Sequence, residues 1–179
     1  MAQLTPDETL LGLIAARPQH GYDLLDSFRD PNQLGKVWTL STSQLYAVLK
    51  RLEQQGLTQV REVVTTDAPA RTEHTLTDAG RDRLAAWLDE EHPSASVRRV
   101  RVEFLSRLYV ARLLNLSTIE LIQRQKRVCR ERRHHLMIER GETQPGVSFL
   151  VVDLEIAQLD AILQWIDRCE IVPKEEGDP

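Results

Sequence analysis

No run of about 18 apolar residues occurs in this 179-residue chain, so no membrane-spanning helix is expected. The opening stretch, MAQLTPDETLLGLIAARP, has no basic segment and carries two acids ahead of its apolar part, so a secretory signal is not expected either. Cysteine is scarce. Cys129 and Cys169 stand far apart without metal-like spacing, as suits a reduced, cytoplasmic chain. A basic excess is missing too: 23 Lys and Arg face 27 Asp and Glu, a net charge of −4, so any contact with nucleic acid must come from a local patch. The five histidines (His20, His74, His92, His134 and His135) form no HExxH, and the adjacent pair would point about 100° apart on a helix. No Gly-rich phosphate loop, G-x-S-x-G or Cys–His arrangement occurs. Neither an enzyme nor a metal or cofactor site is expected.

What is present is an ordinary globular composition, 41% hydrophobic and 28% charged, with length enough for one large domain or two small ones. Thr5-Pro6-Asp7-Glu8 reads as a helix start, with Thr5 as N-cap and Pro6 in the first helical position, and the helix ends before Arg17-Pro18. His20-Gly21-Tyr22 opens a second, short helix, and Asp30 to Gly35 reads as a turn. Ser41 and Gln44 form a capping box for a third helix that Gly56 stops. Leu57 to Thr65 alternates like a strand, Thr66 to Ala70 turns, and Arg71 to Leu76 returns. Thr77 then caps a helix to about Glu90. The order of three helices, two strands and a helix is that of a winged helix-turn-helix.

The third helix, STSQLYAVLKRLEQQGL, has two unlike faces. Leu45, Val48, Leu49 and Leu52 form one buried stripe. Ser43, Ala47, Lys50 and Gln54 lie opposite, flanked by Tyr46 on one side and by Gln44 and Arg51 on the other. No acid appears before Glu53. Small and polar residues at the helix start can approach base edges, while Lys50 and Arg51 reach phosphates or guanines. Arg61 and Arg71 would make a basic wing, although Asp67 at its tip would face phosphate. The competing reading is a protein-interaction module whose third helix meets an acidic protein.

Further along, Glu91 to Ser96 reads as a linker and Val97 to Leu114 as one helix. Ser117-x-x-Glu120 is read as a capping box opening a long helix to about Arg140, and Gly141 to Gly146 breaks the chain. Phe149 to Cys169 is the last helix. Its Phe149, Val152, Ile156, Leu159, Leu163 and Ile166 have coiled-coil spacing and are taken as a dimer seam. Arg124, Lys126, Arg127, Arg130, Arg132 and Arg133 put six cations into ten residues, but they surround the helix, which favours ion pairs with acids such as Asp153, Glu155 and Asp160 over a second DNA face. Trp38, Trp87 and Trp165 are read as core or interface in preference to an effector pocket. Lys174 to Pro179 is expected to fray.

The runs LLGLIAARPQHGYDLL, STSQLYAVLKRLEQQGL and RTEHTLTDAGRDRLAAWL resemble the PadR family of winged-helix transcriptional regulators. Trp38 and Val97-Arg98 fit the subfamily with a long helical C-terminal domain, typified by the virulence activator AphA. The resemblance departs at Glu73-His74-Thr75, where family members often show an aromatic. It implies a homodimer that binds DNA through Ser43, Gln44, Tyr46, Lys50 and Arg51, with Arg71 on the wing. Tyr22, Ser41, Ala47 and Arg61 complete the expected contact set.

The expected fold is therefore mainly α with a small β-hairpin wing. A winged helix-turn-helix over residues 1–90 precedes a helical, coiled-coil-like dimerisation domain over 91–179. The expected partners are double-stranded DNA at a pseudo-palindromic operator, a second copy of the chain, and a small-molecule effector of unknown identity. Repression is expected ahead of activation.

Overall fold

The computed structural model describes residues 4–65 and 68–169, with side chains for all of these except 62–65 and 68–71. It is mainly helical with one small antiparallel sheet. The elements are α1 (Asp7–Ala16), β1 (Gln19–His20), α2 (Gly21–Ser27), α3 (Thr42–Gln54), β2 (Thr58–Thr65), β3 (Ala68–Leu76), α4 (Asp78–Leu88), α5 (Val97–Arg99), a π-helical stretch Val100–Phe104, α6 (Leu105–Leu113), α7 (Ile119–Glu142) and α8 (Val147–Cys169). The chain divides into two compact units, residues 1–89 with 105–116, and residues 90–104 with 117–179.

In the first unit, Leu10, Leu11, Leu24, Leu45, Leu49 and Leu52 are buried in one core that α1, α2 and α3 share. The sheet has the order β1-β3-β2. Its two-residue strand β1 pairs Gln19 with His74 and His20 with Glu73, and nothing in the sequence pattern marks so short a strand. The start of α1 also differs from expectation. Pro6 is the N-cap and no side chain caps the helix, so Thr5 does not serve. The expected turn at Thr66 and Asp67 lies outside the described residues, and β3 begins at Ala68, earlier than the expected Arg71.

Residues 105–116, expected in the second domain, pack in the first unit instead. The contact is a close helix crossing: a Cβ on Gly12 would sit 2.4 Å from Val110 Cγ1, so α6 approaches α1 over bare backbone. Trp38 Nε1 donates to Ser106 Oγ at 2.8 Å, and Tyr109 Oη donates to Gln33 Oε1 at 2.9 Å. Arg107 stacks over Trp87, 5.3 Å from its ring centre. A linker composition at 91–96 marks a break in the chain but carries no information on where the following helix will pack.

The second unit is built on α7 and α8, which run antiparallel. Lys126 pairs with Asp167, Arg133 with Asp160 and Arg140 with Asp153, in seven-residue steps that rise along α7 and fall along α8. Arg132 adds Glu155 at 3.0 Å, while Arg124 and Arg127 reach Glu91 at 3.0 and 3.2 Å. Five of the six cations named from the sequence thus pair with acids of their own unit, while Arg130 is exposed with no ion pair among the described residues. The expected capping box at Ser117 does not form. Thr118 is the N-cap without a side-chain bond, and Ser117 Oγ accepts from the Ile119 amide. The single helix expected from Val97 is interrupted by the π stretch, where Phe104 meets Trp165 edge to face at 5.9 Å. All three tryptophans are packing residues.

The heptad stripe of α8 also needs correction. Val152, Ile156, Leu159 and Ile166 are buried within the chain, and Phe149 and Leu163 are half-buried. Spacing reports that a stripe is covered but cannot distinguish a partner subunit from a neighbouring helix. The apolar residues left exposed are others: Val147 (78%), Leu150 (65%), Val151 and Leu154 on α8, and Ile119 (66%), Met137 and Ile138 on α7.

Candidate nucleic-acid interface

The candidate surface is the outer face of α3. Leu45, Val48, Leu49 and Leu52 are buried, so Ser43, Gln44, Tyr46, Ala47 and Lys50 are exposed. The capping box forms as expected: Ser41 Oγ accepts from the Gln44 amide at 3.2 Å and Gln44 Oε1 from the Ser41 amide at 2.8 Å. Both side chains are therefore partly spent on the helix start. Ser43 Oγ joins them, 3.0 Å from Ser41 Oγ. At the other end Gly56, with φ +69°, closes the helix as its C′ residue.

The two cations of α3 separate. Lys50 is exposed and carries the only positive charge of the outer face among the described residues that has no ion pair. Arg51 is held by Asp7 of α1, through Nη2 to Oδ1 and through Nε to Oδ2 at 3.3 Å. This pair joins the last turn of α3 to the first turn of α1, so Arg51 has a structural partner that the sequence reading did not foresee. A cation that reading passed over lies at the opposite end. Arg29, exposed, donates to Thr42 Oγ1 at 3.3 Å, beside the first turn of α3. Twelve residues of turn and loop separate the two in sequence, which hides the proximity.

Tyr46 owes its position to Gly21. A Cβ there would lie 2.8 Å from Tyr46 Oη and 2.9 Å from its ring, so only glycine lets the ring settle against α2. Tyr22 then meets Tyr46 edge to face, ring centres 6.5 Å apart. The rings are 71% and 41% exposed, and Tyr22 thereby extends the α3 face onto α2.

The wing is tied to the same corner. His20 Nδ1 donates to the Thr72 carbonyl at 2.9 Å, and its Nε2 lies 3.8 Å from Glu73. His74, the next inward residue of β3, is 8% exposed, and burial pushes its imidazole below the usual histidine range against the opposing pull of Glu53. Arg61 is exposed on β2 directly across the ladder from Glu73. The backbone of Arg71 pairs with Val63, and its side chain lies outside the described residues. Among the described residues no three His, Cys, Asp or Glu are placed to hold a metal ion. Nor is any helix among them long and apolar enough to cross a membrane.

Residues 10–86 match the model of the transcriptional regulator PadR-like family. The negative transcriptional regulator PadR of Bacillus subtilis is 31% identical over 100 residues, 56% of this chain and 53% of that protein. A probable transcriptional regulator of Mycobacterium tuberculosis is 26% identical over 81 residues, 45% of this chain and 42% of that one. The chain thus spans about half the length of the curated relatives it matches. Among solved structures, Bacillus subtilis PadR in complex with operator DNA is 24% identical, covering 91% of this chain and 96% of that one, with a TM-score of 0.45.

Proposed function

We infer that this chain, whose residues 10–86 carry a PadR-like regulator domain, is a DNA-binding transcriptional regulator of that family. The observation that carries the reading is the outer face of α3. It is small and polar at its start, aromatic at Tyr46 and cationic at Lys50, with no acid among these residues. That is the surface a helix needs to enter a major groove, its N-terminal side chains on base edges and its cation on a phosphate. Tyr22 and Arg29 flank it, and Arg61 and Arg71 supply the wing. Repression is favoured because the Bacillus subtilis relative is a negative regulator.

A two-fold dimer would place two such helices about 34 Å apart, or a multiple of that, on a pseudo-palindromic operator. The exposed apolar residues of the α7–α8 hairpin, above all Leu150 and Leu154, are the surface assigned to that contact, in place of the heptad stripe. The long helical second unit is what favours the AphA-like subfamily. The protein then acts in the cytoplasm.

The test is a mobility shift on the DNA upstream of the chain's own gene, titrated from low to physiological salt against competitor DNA. Counterion release makes a DNA complex weaken steeply with salt. A shift of that kind, lost with Lys50→Ala, supports the reading. The absence of specific binding here and in a genome-wide selection would overturn it in favour of an acidic protein partner.

A further inference from the structure

His74 of β3 is 8% exposed, and its Nδ1 has no hydrogen-bond partner among the described residues. Its place is the joint between α3 and the wing. The strand ladder sets it opposite Gln19 on one side and Val60 on the other. The ring forms part of the wall of a cavity of about 750 Å³ whose other walls include Tyr46, Leu49, Lys50 and Glu53 of α3. A residue that only filled space there would be better apolar, because a buried nitrogen without a partner costs stability. Such a group calls for another explanation, and a functional change of state is one.

The groups around the ring decide what a proton does there. Glu53 of α3 attracts a charge on His74, and His20 of β1, when charged, repels it. Lys50 of α3 adds a cation to the same cavity wall and Asp23 of α2 a carboxylate, while Tyr22 and Tyr46 contribute aromatic rings. On β2 the ladder partner is apolar Val60, and Arg61 stands across from Glu73. Helices α1 and α4 also pack on β3. Their acids Asp7, Glu8 and Asp78 are held by Arg51, Arg83 and Arg81. Neither helix contributes to the cavity wall among the described residues. A proton on His74 is thus opposed by burial and by His20 and drawn by Glu53, which is exposed. The charged ring is best placed nearer to Glu53 and to water, and the cavity supplies the space to reach both.

We propose that His74 is a proton-operated latch between α3 and the wing. Neutral, it seats β3 against the helix. Charged, it leaves that seat for Glu53, the wing shifts from α3, and DNA is released. The release clause rests on the DNA-binding reading, and the movement of the wing stands without it. Acid favours the open arrangement because a histidine takes up a proton more readily outside a buried seat. The sign is diagnostic. Exposed histidines such as His92 and His134 gain positive charge over the same range, which by itself tightens a DNA complex. The latch loosens it.

The experiment uses the full chain. Without DNA, nuclear magnetic resonance from pH 7.5 to pH 5 follows the His74 ring and the backbone amides of Glu53, Val60 and Thr75. The expected result is that ring and amides change together with one midpoint. Glu53→Gln, at an exposed position, should move that midpoint down by about 0.3 pH unit or more. A ring that titrates while the amides stay still, or that does not titrate in this range, overturns the latch. An unmoved midpoint in Glu53→Gln overturns the seat given to the charged ring. With DNA, fluorescence anisotropy on the fragment upstream of the chain's own gene is read at constant ionic strength. Affinity should fall about tenfold from pH 7.5 to pH 5.5, and His74→Phe should hold it within about twofold. Affinity that rises with acid, or a folded His74→Phe chain that keeps the whole fall, overturns the release clause. If His74→Phe does not fold, Glu53→Gln decides instead: the fall in affinity must move with the ring's midpoint, and a fall that stays in place overturns the clause. A chain whose wing responds to the proton but binds no DNA at any pH faults the regulator reading alone.

Discussion

Tyr46 of α3 rests on the bare backbone of Gly21, the first residue of α2, with no room for a methyl group between them. The His-Gly-Tyr signature thereby acquires a physical reason. Its glycine seats the exposed aromatic of α3 and its tyrosine meets that ring edge to face. Gly21→Ala should push the exposed ring of Tyr46 outward and cost less than about 1 kcal/mol, because the displaced atoms are the end of a side chain with room to move. The domain should still fold, while operator affinity falls. A denaturant titration and a mobility shift on the same variant check this, and an unchanged result in both would remove Gly21 from the account.

Lys50 and Arg51 are neighbours with different expected phenotypes. Lys50→Ala should leave stability within about 0.5 kcal/mol, since the side chain is exposed. It should reduce the slope of log affinity against log salt by about one unit, the loss of one phosphate contact. Arg51→Ala breaks the pair with Asp7. That pair is partly screened because the arginine side chain is 40% exposed, so the cost should be about 0.5–1 kcal/mol. Its salt slope should stay near that of the unaltered chain. An equal loss of slope in the two alanine variants would place Arg51 among the DNA contacts, and no loss in either would remove Lys50 from them.

Much of the first unit was legible because its signals are local. The capping box of Ser41 and Gln44, the apolar stripe of α3, the Thr77 cap and the alternating β2 each depend on residues within a few positions of one another. What escaped was long-range. Gln19 and His20 make a strand only because β3 passes beside them, and Arg51 finds Asp7 across 44 positions. In the same way, the return of α6 onto α1 depends on a bare surface at Gly12 that no periodicity records. For the candidate surface, sequence named the α3 face and Tyr22. It missed Arg29, whose nearness to α3 is created by the intervening turn.

His74 sets a pH dependence with a definite sign. Its folded pKa lies below the ordinary value of 6.5, chiefly because burial disfavours the charged ring. The unfolded chain therefore takes up a proton before the folded one does. The stability tied to neutral His74 is fully present above about pH 6.5 and is lost as pH falls from there toward the lower folded value. Unfolding free energy measured from pH 7.5 to pH 5 should decline through this range, and His74→Phe should flatten that part of the curve. A variant whose curve keeps the full decline would assign the effect to other groups.

The α7–α8 hairpin separates burial within the chain from burial against a second copy. Leu159 is 3% exposed, inside the hairpin between rungs at Arg133–Asp160 and Arg132–Glu155. Leu159→Asp places a carboxylate in that apolar layer and should cost about 3 kcal/mol or more, lowering helix content in the monomer itself. Leu150 is open to solvent in the single chain, so Leu150→Asp should keep the helical spectrum and thermal midpoint of a folded protomer. If the exposed face joins two copies, that variant should instead shift the sedimentation profile from dimer to monomer. It should also weaken operator binding, because two half-sites are no longer held by one particle. A Leu150→Asp protein that sediments as a dimer would place the subunit contact elsewhere. A Leu159→Asp protein that is dissociated but fully folded would return the heptad stripe to the interface.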